Sequence, residues 1–114
     1  MMIPTRSFRQ EQYRCSKCER ELASDDVSDD WKCPTCRVPV HIYAQEETGV
    51  RARLIRIQAS ELSEGRPVVL WDLNNTCRAL EVSRVQNGVR IVLKGHTATI
   101  ERPDKFITCR IGGW

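Results

Sequence analysis

The chain is poor in aromatic side chains: Trp, Tyr and Phe make up 6% of its 114 residues. With so few rings and 40% hydrophobic residues overall, it can bury one modest core. Histidine is scarcer still. His41 and His96 stand alone, without a ligand cluster around either, so each is expected to be structural or exposed. No stretch approaches the roughly 18 apolar residues of a membrane span, and "MMIPTRSFRQ" lacks the apolar centre of a secretory signal. A cytoplasmic protein that does not enter a membrane is expected. No Gly-rich phosphate loop and no Ser-His-Asp set stands at recognisable spacing, so the expectation is a protein that is not an enzyme.

Cysteine, by contrast, is plentiful. Six are present, and four form two Cys-x-x-Cys pairs, Cys15 with Cys18 and Cys33 with Cys36. Paired x-x spacings without a secretory signal point to metal ligation in a reducing compartment rather than to disulfides. Two intervening residues let both sulfurs of a tight knuckle turn toward one ion while backbone amides point at the thiolates. The residues between the knuckles are expected to form a β-hairpin that brings the pairs together.

Charge divides the chain in two. Residues 1–48 carry 7 Lys+Arg against 9 Asp+Glu, a balance of −2, whereas residues 49–114 carry 11 against 6, a balance of +5. The polar, Gly-ended stretch "AQEETG" between them reads as a linker. The expected domains are residues 1–46, folded around the metal, and residues 47–114, a basic unit. Each half is near the size at which a core alone is marginal and a metal supplements it.

The motif "YxCxxC" at Tyr13 to Cys18, followed by "DDWKCPTC" at Asp29 to Cys36, resembles a rubredoxin-like zinc ribbon over roughly residues 8–43. In that family an aromatic two residues before the first knuckle, and another just before the second, pack beside the metal; Tyr13 and Trp31 fill those positions. The resemblance implies one structural Zn2+ held by Cys15, Cys18, Cys33 and Cys36. Two departures bear on the metal: the insert is shorter than in rubredoxins, and Glu19 and Arg37 replace the glycines that follow the knuckles. Both weigh for zinc against redox iron. Short iron-binding ribbons of the desulforedoxin and rubrerythrin type keep Fe, and with it electron transfer, as the alternative.

Asp25, Asp26, Asp29 and Asp30 lie in the insert. They are read as solvating its turn, with docking on a basic surface as the second reading. Some transcription-cleavage factors resembling zinc ribbons carry acidic residues at a ribbon tip, but their insert is longer and their acidic pair differently set.

Short strands dominate the basic half. "VRARLIRI", "RPVVLW", "TCRALEVSRV", "VRIVLK", "TATIE" and "KFITCRI" are separated by turn signals, the strongest being Asn87-Gly88, expected as a type I′ hairpin turn. The expected fold class is therefore mostly β: a four-cysteine ribbon followed by a small antiparallel SH3-like barrel. The stretch "IQASELSEGRPVVLW" also resembles the entry of small Hint-like or SH3-like barrels. The nucleophile, Thr-x-x-His element and Asn that protein-splicing Hint domains need are not arranged that way, so no autoprocessing is expected.

Nine of the eleven basic residues in this half are Arg. Alternation puts Arg51 and Arg53 on one strand face, with Arg78 and Arg84 sharing a face further on, a candidate surface for phosphate or carboxylate. Cys77 and Cys109 fall within strands and are expected to pack as buried thiols, a disulfide requiring that their strands be neighbours. Trp71 and Trp114 read as core or as contact surface. The functional expectation is a non-enzymatic zinc-binding adaptor that docks on a component of a larger assembly. A protein partner is slightly favoured, because the excess charge is modest and aromatics for base stacking are few; nucleic acid is the alternative, as for a transcription-associated factor.

Overall fold

In the computed structural model, residues 3–5 and 7–114 are described; Met1, Met2 and Arg6 of the amino-terminal stretch read above lie outside them. Nine strands run β1 (Gln10–Arg14), β2 (Glu21–Leu22), β3 (His41–Gln45), β4 (Arg51–Gln58), β5 (Pro67–Val69), β6 (Thr76–Val85), β7 (Gly88–Leu93), β8 (Thr99–Glu101) and β9 (Phe106–Gly112). One helical turn, α1 (Ser24–Val27), follows β2. The strands form one open antiparallel sheet in the order β2-β1-β3-β4-β9-β5-β6-β7-β8. The protein is thus mostly β, as its alternating segments require.

The sheet curls around two cores, and β4 belongs to both. Its Ile55 and Ile57 join Val68, Ala79, Ile91, Leu93, Ile107 and Cys109 in the core of the basic half. Side chains alternate across a strand, so Ala52 and Leu54 point the other way. They join Cys15, Val27, Cys33, Val40, Ile42, Val69 and Leu73 in a second core. The four-cysteine stretch is therefore laid against the basic half and shares apolar contacts with it.

Several expectations change at this level. The stretch "AQEETG" forms a hairpin turn, closed by Glu46 N–H to Val50 O at 2.9 Å and Gly49 N–H to Glu46 O at 2.9 Å. Through it β3 pairs with β4, Tyr43 opposite Arg53 and Ala44 opposite Ala52, and the two halves are joined along a strand edge. Between the knuckles, the expected hairpin gives way to the short β2 and then α1. Ala23 N–H bonds the Asp26 carboxylate at 3.2 Å, an acid at the third helical position reaching back to the start of the turn.

The β6–β7 turn is centred one residue earlier than the Asn-Gly signal implies. Val85 pairs with Gly88, leaving Gln86 and Asn87 as the central pair. Among the described residues only Glu19, Trp31 and Arg37 adopt positive φ without being glycine, so the turn is not type I′. Gly88 is needed for another reason: a Cβ there would collide with the backbone carbonyl of Glu101 on the neighbouring strand β8.

Glu101 is itself buried and ties the amino-terminal segment down. Its carboxylate accepts from Ile3 N–H at 3.0 Å, Thr99 Oγ1 at 3.0 Å and Lys105 Nζ at 2.9 Å. Burial alone would raise its pKa, but these donors outweigh that cost and hold it below the usual carboxylate value. No helix among the described residues is long and apolar enough to cross a membrane.

Candidate metal centre

The first knuckle turns the chain from β1 into β2, pinned by Cys15 N–H to Arg20 O at 3.0 Å. The second is closed by Cys33 N–H to Val38 O at 2.9 Å and Arg37 N–H to Cys33 O at 2.8 Å, with Lys32 bridging to Pro39. Together they bring the sulfurs of Cys15, Cys18, Cys33 and Cys36 within 4.8 Å of one another. Cys18 Sγ lies 3.9 Å from Cys33 Sγ. A tetrahedral ion with metal–sulfur bonds of about 2.3 Å places its sulfurs about 3.8 Å apart, so the set is dimensioned to hold one ion.

Backbone amides prepare the thiols for that role. Cys18 N–H points at Cys15 Sγ at 3.4 Å and Cys36 N–H at Cys33 Sγ at 3.5 Å. The Cys18 amide is the main reason that Cys15 is brought down to about 6, and the Cys36 amide likewise lowers Cys33. Cys36 moves the other way, to about 12, through burial and then the neighbouring sulfurs. Four thiolates this close repel one another unless a cation sits among them.

Each knuckle ends in a left-handed residue, Glu19 at φ 56° and Arg37 at φ 59°, where the sequence has no glycine. The backbone keeps the turn that brings amides to sulfur and bears the steric cost of a Cβ there, about 1 kcal/mol per residue. Arg37 recovers part of it by bonding Asp30 Oδ2 at 2.7 Å, whereas Glu19 is exposed without such a contact. Glu19→Gly should therefore stabilise the protein by about 0.5–1 kcal/mol, read as a higher urea midpoint at unchanged slope. A lower midpoint would mean that Glu19 makes a favourable contact.

Tyr13 and Trp31 stand with ring centroids 5.7 Å apart and pack on the core that contains Cys15 and Cys33. Under them lies a group that sequence reading passed over. Arg56, 1% exposed, reaches from β4 to clasp Glu11 on β1, Nη1 to Oε1 at 2.9 Å and Nη2 to Oε2 at 2.8 Å. Its guanidinium also sits 4.4 Å from the Trp31 ring centroid. Glu11 further accepts from Tyr13 Oη at 2.8 Å and Phe8 N–H at 2.7 Å. Burial pushes Glu11 up, but Arg56 and these donors more than reverse it, while burial and the bond to Glu11 drive Tyr13 to about 12. The signal in the sequence was an arginine interrupting the apolar run Leu54-Ile55-Arg56-Ile57.

A second ion pair, Lys32 to Glu61 at 3.3 Å, crosses the same boundary. Of the acidic insert, Asp25, Asp26 and Asp29 are exposed and Asp30 is half-buried.

The arginines of the candidate face separate. Arg53 opposes Tyr43, and Arg51 opposes Gln45, so these two share a face. Arg78 and Arg84 do not share one: the register of β6 slips between Ala79 and Glu81, and the extra residue, Leu80, reverses the alternation beyond it. Arg84 opposes the buried Val89, on the side of Val82 and Ile91, while Arg78 lies before the slip on the other side. Cys77 and Cys109 both oppose Val68, from β6 and β9 on either side of β5. Two strand spacings, about 9–10 Å, keep them from bonding. Burial raises the Cys109 thiol to about 12.

No protein-family model matches the chain, and neither a curated protein nor a solved structure matches it. The chemistry of the four sulfurs and the faces around them carries the functional reading.

Proposed function

We propose that the protein is a non-catalytic, zinc-organised docking module, in which one Zn2+ held by Cys15, Cys18, Cys33 and Cys36 fixes a binding surface for a component of a larger assembly. The observation that carries this reading is the continuity between the sulfur cluster and the shared core. Cys15 and Cys33, both fully buried, belong to the same apolar cluster as Ala52, Leu54, Val69 and Leu73 of the basic half. An ion at the knuckles thus organises the surface on which the second unit rests. Four thiolates complete a tetrahedron and leave no position for water or substrate, which speaks for a structural ion over a hydrolytic one.

The protein purified without added metal should contain one zinc per chain and show no visible absorbance. Elemental mass spectrometry with an absorption spectrum measures both. A red, iron-loaded protein with reversible redox behaviour would replace this reading by electron transfer.

A further inference from the structure

From the geometry of the outer face of β1, β3 and β4 we infer a binding site for single-stranded nucleic acid, with Tyr43 and Trp114 as its stacking platform and Arg14, Arg51 and Arg53 as its phosphate contacts. This rests on the docking-module reading and names the partner class.

Directly paired residues of antiparallel strands point to the same side. Register therefore lines up Gln12, Tyr43 and Arg53 in one row, Gln10, Gln45 and Arg51 in the next, and Arg14 beside His41 in a third. One carboxylate stands in these rows, Glu21, opposite Arg14 on the edge strand β2; the rows of Arg51 and Arg53 hold none. None of the three arginines makes a salt bridge among the described residues, whereas Arg9, Arg37, Arg56, Arg90 and Arg102 all do. Around Arg51 and Arg53 the face is cationic and uncompensated.

Onto it the chain folds Trp114. The indole Nε1–H bonds Ala52 O at 3.1 Å, the ring meets Tyr43 edge-on at 5.9 Å, and the Arg51 guanidinium lies 4.6 Å from the ring centroid. Trp114 remains 49% exposed. A tryptophan held in place by a backbone bond and left half in water is a preordered surface for a planar ligand. Arg53 is held as well: its Nη2 lies where a side chain on Gly112 would stand, and its buried Nε has no hydrogen-bond partner. Aromatic rings interleaved with arginines that make no salt bridge meet both parts of a single strand, base faces and phosphates. An acidic polypeptide would use the arginines and leave the rings idle.

The test is fluorescence anisotropy of a labelled oligodeoxythymidine of about 12 nucleotides, titrated with the full chain at about 50 and 200 mM salt. A matching strand of abasic residues and heparin are run beside it. Each protein is first checked for one bound metal and for an unchanged near-ultraviolet spectrum. Binding should weaken with salt, and Trp114→Ala or Tyr43→Leu should each reduce affinity roughly 5- to 150-fold, the size of a lost base stack. Arg51→Ala with Arg53→Ala should flatten the log–log salt slope by about 1.4. Arg84→Ala, on another face, should leave the slope unchanged.

Equal affinity for the abasic strand or heparin, or aromatic variants that bind like the parent, would reduce the site to a generic polyanion surface and overturn the inference. So would no binding at the lower salt by a folded, metal-replete protein, with the docking-module reading left standing. A parent chain that folds without metal would sink that reading instead.

Discussion

Arg56→Met should destabilise the protein by about 3–5 kcal/mol, the usual cost of stranding one member of a buried ion pair. The substitution leaves Glu11 with its side chain 7% exposed, facing Tyr13 and the Phe8 amide without its countercharge. It also removes the cation beneath Trp31. Urea unfolding followed by tryptophan fluorescence measures the loss, and a change under about 1 kcal/mol would mean the pair is no better than a surface contact. The double variant Arg56→Met with Glu11→Leu should recover part of the stability, because two apolar groups need no desolvation, while the Tyr13 hydroxyl and the Phe8 amide lose the acceptor they share.

The same pair gives the pH dependence a sign. Glu11 is lowered in the folded protein relative to its ordinary value of 4.5. Its contribution is therefore complete above pH about 4.5 and is lost as pH falls through the lower folded value. In Arg56→Met the uncompensated carboxyl takes up a proton more readily, so the gap between parent and variant should narrow in acid. A gap that stays constant down to the acid transition would remove Glu11 from the account.

Stripping the metal should have the larger effect. Structural zinc binds small peptides of this kind with an apparent free energy of about 10–16 kcal/mol near neutral pH. That exceeds the total stability of many domains. Excess chelator should therefore abolish the fixed packing around Trp31, seen as loss of its near-ultraviolet circular dichroism, and zinc should restore it. Cys33→Ser, which removes a fully buried ligand, should give the same spectrum even in zinc. The outcome also reports on the basic half: β4 keeps its pairing with β9, but the face bearing Ala52 and Leu54 loses the apolar partners it shares with Cys15 and Cys33. A spectrum that chelator does not change would show that the apolar core suffices and the ion is dispensable.

Which features could be read from the residues alone follows from how local their causes are. The knuckles were legible because a Cys-x-x-Cys turn is fixed by four consecutive residues. The strands of the basic half were legible because alternation and turn residues are local too. Arg56 was not: an arginine in a strand reads as outward, and only the arrival of Glu11 and Trp31 from another part of the chain turns it inward. Arg84 was misplaced because one extra residue at Leu80 reverses every side chain beyond it, and β6 carries no glycine or proline to announce the slip. The insert was misread for a related reason. Ser24 and Asp26 start a helical turn as readily as they make a loop, and Val27, buried in the core that contains Cys15 and Cys33, decides between them. Tyr43 and Trp114, far apart in sequence, become neighbours only through the pairing of β3, β4 and β9.

The double allegiance of β4 bears on how the protein comes into being. Both knuckles belong to a short stretch of chain, whereas Leu54 must wait for Arg110, far downstream, to complete its pairing. On a ribosome the thiols could take up their ion while Ile55 and Ile57 still lacked the residues that will cover them. With an ion held there, a newborn chain would present a finished knuckle pair attached to an uncovered apolar edge. That interval, rather than the mature fold, is when this protein most needs shelter from aggregation.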